Sequence, residues 1–150
     1  MEYPALINGF AEKFAIAGLE TTGGTAAVEI DGIAIQLVHD EVANEVVAVA
    51  ELGLPPPDAN GPFGSAMLKA NYLFGGTGGA VLCQNPESGS YALMRPWPLD
   101  GLDVETFANA LGEFVDTAEH WKGLLSGARA AEESAPASAE DLPPDGFMRV

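Results

Sequence analysis

Ala27-Val28-Glu29-Ile30-Asp31-Gly32-Ile33-Ala34-Ile35-Gln36-Leu37-Val38 is the stretch that decides the fold. Strand-like apolar runs flank an Asp-Gly pair, a strong signal for a two-residue hairpin, because its tight turn needs positive φ at both central positions. Glu45-Val46-Val47-Ala48-Val49-Ala50 supplies a third strand after a turn expected at His39-Asp40-Glu41. The reading is an antiparallel meander.

Working outward, Tyr3, Leu6, Ile7, Phe10, Phe14 and Ala17 recur at helical spacing. Gly18 stands where a helix ends in a left-handed cap, with Leu19 closing back onto the last turn. Gly9 weakens this helix by roughly 1 kcal/mol relative to Ala, so it needs tertiary packing. On the other side, Pro55-Pro56-Pro57 ends the sheet, because proline cannot donate to a ladder. A short helix starts near Pro62. It runs through Phe63, Ala66, Met67, Ala70, Leu73 and Phe74, and Gly75-Gly76-Thr77-Gly78-Gly79 ends it as a flexible connector. Ala80 to Gln84 and Ser90 to Trp97 read as two strands joined by the turn Asn85 to Gly89. Asp103 sits where an N-cap belongs, and Val104, Phe107, Leu111, Phe114, Ala118, Trp121 and Leu125 mark a long amphipathic helix.

Beyond Gly127 the composition shifts to Ala, Glu, Ser and Pro. The expectation is one α+β domain over residues 1–126, in the order α-β-β-β-α-β-β-α, with helices packed on a twisted antiparallel sheet. Residues 127–150 are expected to form an acidic disordered tail, with fraying the simpler reading of Phe147-Met148.

The charge bounds the function. Twenty-two acidic residues against 6 basic give −16, a surface that repels nucleic acid and anionic lipid. A length of 150 residues suits one domain, and 47% apolar content with a mean hydropathy of +0.12 supports a core. No apolar run approaches the roughly 20 residues of a membrane span, and Met1-Glu2-Tyr3-Pro4 lacks the basic start of a signal peptide. A single cysteine, Cys83, forms no internal disulfide. These features agree on the cytoplasm.

Chemistry finds little footing. The glycine cluster follows a helix and precedes a strand, the reverse of a phosphate loop, and no Gly-Lys-Ser/Thr occurs. His39 and His120 lack a second ligand at metal spacing. Cys83 lies in Val81-Leu82-Cys83, which reads as a buried strand, and Ser88 is not in a nucleophile elbow. No cofactor or metal is expected. What remains is apolar surface: strips on the first helix and early strands, or an unpaired strand edge able to capture an extended peptide.

Several local patterns share one order. Ala17-Gly18-Leu19 closes the leading helix, and Val28-Glu29-Ile30-Asp31 and Ile35-Gln36-Leu37 follow. Leu52-Gly53-Leu54-Pro55 leads to Met67-Leu68-Lys69-Ala70-Asn71 and the glycine stretch. Leu99-Asp100-Gly101-Leu102-Asp103 opens the final helix, which carries Phe114-Val115 and Ala118-Glu119-His120-Trp121. Over about residues 1–125 the chain resembles the class I type III secretion chaperones, the group related to the chaperone of the translocated intimin receptor. The glycine stretch and the tail depart from that pattern.

The resemblance implies a cytoplasmic homodimer that binds the non-globular N-terminal region of a secreted effector or translocator. It implies delivery of that cargo to the export apparatus with its ATPase, and no hydrolysis by the chaperone itself. Carried over, it places the dimer interface at Met67, Ala70, Leu73 and Phe74, with Leu93 or Trp97 supporting. It places effector contacts at Phe10, Phe14, Val28, Ile35 and Leu37. Three rivals stand beside it: a regulatory interaction domain of the YbjN-like kind, a small hydrolase or metal enzyme using His39, His120 or Cys83, and an acidic mimic of nucleic acid.

Overall fold

The Asp31-Gly32 turn forms as its chemistry requires. In the computed structural model of the chain both residues adopt positive φ, 51° and 80°, and Ile30 lies opposite Ile33. The structure describes residues 1–17, 19, 21–58 and 61–133. Its elements are α1 (Tyr3–Lys13), β1 (Thr25–Ile30), β2 (Ile33–Asp40), β3 (Glu45–Gly53), α2 (Pro62–Asn71) with a 3-10 turn (Tyr72–Phe74), β4 (Val81–Gln84), β5 (Tyr91–Pro98) and α3 (Val104–Glu133). The strands form one five-stranded sheet in the order β1-β2-β3-β5-β4, with every pair antiparallel.

One face of this sheet is the core. The register aligns Val28, Ile35, Ala50, Leu93 and Leu82 across all five strands, and every one of them is buried. Helices α1 and α3 cover that row. Phe107 of α3 meets Phe10 edge-on at 5.8 Å and Trp97 at 5.5 Å, and Trp97 also meets Phe114 at 6.1 Å. Edge-to-face contacts of this kind set ring positive edges on negative faces, beyond the gain from burial. Tyr3 fixes the start of α1 by donating its hydroxyl to the Leu37 carbonyl at 2.6 Å.

Pro96 and Pro98 are tolerated in β5 because β4 pairs only with the Tyr91 to Met94 half of it. Beyond Met94 that edge of β5 is open, and a residue without an N–H removes nothing there. Helix α3 begins as expected. Asp103 Oδ1 accepts from the Thr106 N–H at 2.7 Å, and these backbone and side-chain hydrogen bonds hold the Asp103 carboxyl below its ordinary range. No helix among the described residues is long and apolar enough to cross a membrane.

Four boundaries differ from the sequence reading, each for a tertiary reason. Helix α1 ends at Lys13, and the left-handed residue after it is Ala15 (φ 52°), which turns the chain so that Ile16 packs against the core. The expected cap at Gly18 lies outside the described residues. His39 and Asp40 belong to β2, and the turn follows at Glu41 to Asn44, where Asp40 Oδ1 accepts from the Val42 and Ala43 N–H groups. The glycine stretch is no loose connector. Trp121 Nε1 donates to the Gly76 carbonyl at 3.0 Å, Arg95 donates to that of Gly78 at 2.8 Å, and buried Thr77 donates to that of Ala80. Finally, α3 continues past Gly127 to Glu133. Arg129 donates to the Leu54 carbonyl at 3.2 Å and the Asp58 N–H to Glu132 Oε1, so this turn clasps the proline loop. The remainder of the expected tail, 134–150, lies outside the described residues.

Two outcomes follow from this packing. Phe107→Ala leaves a cavity beside the rings of Phe10 and Trp97 and should lower unfolding stability by about 3–5 kcal/mol in urea melts. For Asp103 the depressed folded value means its contribution is full above the ordinary carboxylate range and vanishes as pH falls through the folded value. Asp103→Ala should therefore be less stable than the native chain at neutral pH and match it in acid.

Candidate interaction surfaces

Helices cover one face of the sheet, so the binding candidates are its edges, its other face and the helix ends. Edge β1 is partly open. Thr22 folds back on it, exchanging N–H···O bonds of 3.0 and 3.1 Å with Thr25. By the alternation of an antiparallel strand, the backbone groups of Ala27 and Glu29 point the same way as those of Thr25. They meet no partner among the described residues. Edge β4 is closed instead. The Asn71 side chain accepts from the Leu82 N–H at 2.8 Å and donates to the Leu82 carbonyl at 3.0 Å, imitating a sixth strand with one amide. An edge so capped no longer offers a ladder.

At the Ile30 end of β1 lies a groove of about 420 Å³ with an apolar floor of Phe10, Ile16, Ile30 and Leu111. Phe14, whose ring lies 4.9 Å from Phe10, stands on its wall and is 50% exposed. Glu29 and Asp31 supply its charged rim. The open sheet face beside it is a shallow hollow of about 400 Å³, where Ala27, Ala34 and Val49 lie between Glu29, Gln36 and Glu51.

The third surface is on α2 at the opposite edge. Phe63 stacks on Tyr91 and meets Trp121 edge-on, and Met67 is buried, so one face of the helix is docked. The other face is bare: Leu68 is 74% exposed, Tyr72 76%, Leu73 80% and Phe74 51%. A hollow of about 430 Å³ between α2 and β4, lined by Leu68, Cys83 and Tyr91 among others, adjoins it. This surface also stands apart electrically. Residues 59–86 contain no Asp or Glu and one Lys, in a chain with 22 carboxylates.

The residues picked from sequence divide sharply on exposure. Of the five assigned to a client, Phe10, Val28, Ile35 and Leu37 are buried in the core, and only Phe14 offers substantial surface. Of the six assigned to a dimer, Met67, Leu93 and Trp97 are buried within the protomer, Ala70 is half-buried, and Leu73 and Phe74 are exposed together. Leu68 and Tyr72 went unpicked. Their signal was present: apolar residues on both sides of α2, more than one docked face uses. The acid-free run from 59 to 86 was equally legible.

Burial pushes the Cys83 thiol up, away from the thiolate a nucleophile needs. His39 stacks on Tyr3 at 4.9 Å, and His120 packs against Trp121. Among the described residues, no three His, Cys, Asp or Glu side chains group as metal ligands would.

Comparison with known proteins agrees with this layout. The model of the Tir chaperone protein (CesT) family matches residues 5–122. Solved structures share the fold. The HopA1-SchA chaperone-effector complex aligns with a TM-score of 0.67 at 21% identity, covering 81% of this chain and 93% of that one. The Yersinia pestis type III secretion chaperone SycH, in complex with a stable fragment of YscM2, aligns at 0.62 and 21% identity over 79% and 98%. The ExsC-ExsE complex aligns at 0.68 and 18% identity over 81% and 91%. No curated protein matches the sequence itself. With more than half of its length matched by the family model, this chain belongs to the Tir chaperone (CesT) family.

Proposed function

We infer that this chain is a type III secretion chaperone that binds the non-globular N-terminal segment of a secreted effector or translocator and keeps it soluble and export-competent. Family membership over residues 5–122 carries the reading. Solved complexes that share its fold include the HopA1-SchA chaperone-effector complex and the type III secretion chaperone SycH with a fragment of YscM2. A regulatory domain of the YbjN-like kind is not favoured, since neither the family match nor those structures point to it. The reading contains no catalytic step. It works in the cytoplasm, and handing cargo to the export ATPase is the step that follows.

The groove and the β1 edge support one way of holding a client. An extended segment adds to the sheet at Ala27 and Glu29, whose outward backbone donors and acceptors have no partner among the described residues, and sets an apolar side chain into the groove beside Phe14. Main-chain bonds accept many sequences, and the groove selects among them. Ordering a disordered client costs several kcal/mol, so one groove is not enough and a long wrapped contact is needed. Two copies of the chain double the surface. The exposed face of α2 suits such a homodimer, because large apolar patches on a protein surface mark association sites and this one lacks the carboxylates that repel elsewhere.

The test is co-expression with candidate clients, followed by size-exclusion chromatography and titration with client N-terminal fragments. Retention of a disordered N-terminal segment is the expected result. Recovery of folded regulators alone would contradict it. Phe14→Asp should weaken client binding by roughly tenfold or more, about 1.4 kcal/mol, without changing the far-UV spectrum. Ala27→Pro removes an N–H that has no described partner, so folding should survive it. Client affinity should not.

A further inference from the structure

Leu73 and Phe74 are consecutive non-glycine residues with positive φ, 52° and 57°. L-residues avoid this conformation, and it persists only where the surroundings over-determine it. Both side chains are exposed, so burial does not explain them. The surroundings do. Upstream, Asn71 is bolted to Leu82 by two hydrogen bonds. Downstream, the Phe74 carbonyl accepts from the N–H groups of Thr77 and Gly78, at 3.3 and 3.2 Å, and the Gly76 N–H returns to the Ala70 carbonyl at 2.9 Å. Trp121 and Arg95 then pin the Gly76 and Gly78 carbonyls from α3 and β5.

The glycines are what let those pins reach. A Cβ on Gly76 would lie 2.7 Å from Ala70 Cβ. Gly79 has φ 98°, and a Cβ there would lie 3.0 Å from the Arg95 guanidinium carbon. Arg95 itself sits 5.3 Å over the Trp97 ring, which ties the clamp to the core.

We propose that Arg95, Trp121 and the Gly75–Gly79 loop are positioning residues that hold Tyr72-Leu73-Phe74 out as a rigid apolar knuckle for a second copy of this chain. This rests on the homodimer reading above. The occupant follows from charge. Two copies at −16 repel each other over most of their surface, and least where residues 59–86 carry no carboxylate. A basic partner would find no counter-charge there. A preformed knuckle also spares the ordering cost of docking a mobile loop.

Sedimentation equilibrium on the full chain tests this, with far-UV circular dichroism, urea melts and client-fragment titration run alongside. The native chain should be a dimer. The double variant Leu73→Ala, Phe74→Ala should raise its dissociation constant about a hundredfold, counting roughly tenfold for each apolar anchor. Trp121→Phe keeps an aromatic ring there but removes the indole N–H that bonds Gly76 together with part of the buried indole, so the urea melts read its stability cost separately. It should raise the constant by roughly tenfold with the spectrum and client affinity per protomer unchanged. Gly79→Ala should do the same by displacing Arg95, and if it does not fold, Trp121→Phe decides alone. A native dimer that Trp121→Phe leaves equally tight overturns the clamp while sparing the homodimer. A dimer untouched by the double variant, or one that instead loses client binding, overturns the knuckle as a contact between copies. A native chain that stays monomeric at all concentrations overturns the homodimer and this proposal together.

Discussion

Burial of one sheet face, and only one, is the constraint behind everything else in this molecule. The row Val28, Ile35, Ala50, Leu93, Leu82 is covered by α1 and α3, with the rings of Phe10, Trp97, Phe107 and Phe114 at its centre. Helix α2 joins that layer only at its margin, through Met67 and through Phe63 against Trp121. It packs on the β4 end of the sheet and spends its docked face on Phe63 and Met67. The outer sheet face, the β1 edge and the free side of α2 are consequently left over. A domain of this size has too few helices to cover them, and those leftovers are its candidate binding surfaces.

The two ends of the sheet are treated differently. A side-chain amide from Asn71 closes the β4 edge, which blocks sheet-to-sheet addition beside the apolar α2 patch. At β1 Thr25 is covered, and Ala27 and Glu29 meet no partner among the described residues. Under the proposed function, this division separates two kinds of contact: backbone pairing at one end, side-chain packing at the other. High net negative charge keeps so much exposed apolar surface from aggregating, and its absence between residues 59 and 86 marks where association meets least repulsion.

Much of the fold was legible because its signals are local. Asp31-Gly32 fixed a hairpin, Asp103 fixed a helix start, and strand and helix periods placed every element in order. What escaped was decided by contacts distant in sequence. Arg129 and Glu132 carry α3 past Gly127 because they clasp the Leu54 to Asp58 loop, which composition cannot announce. The glycine stretch reads as flexible until Trp121 and Arg95 are brought to it from elsewhere. The site residues carried over from the resemblance divide for a related reason: sequence finds apolar residues without saying which side of a sheet or helix they face. Phe10, Val28, Ile35 and Leu37 went to the core, while Phe14 alone kept its surface.

The central claim is that a disordered client adds as a strand to the outward groups of Ala27 and Glu29. Amide hydrogen exchange of those two residues, with and without a bound client segment, reads this directly. Slow exchange at both positions only in the complex is the predicted result. Amides that exchange as fast in the complex as in the free chain would contradict it.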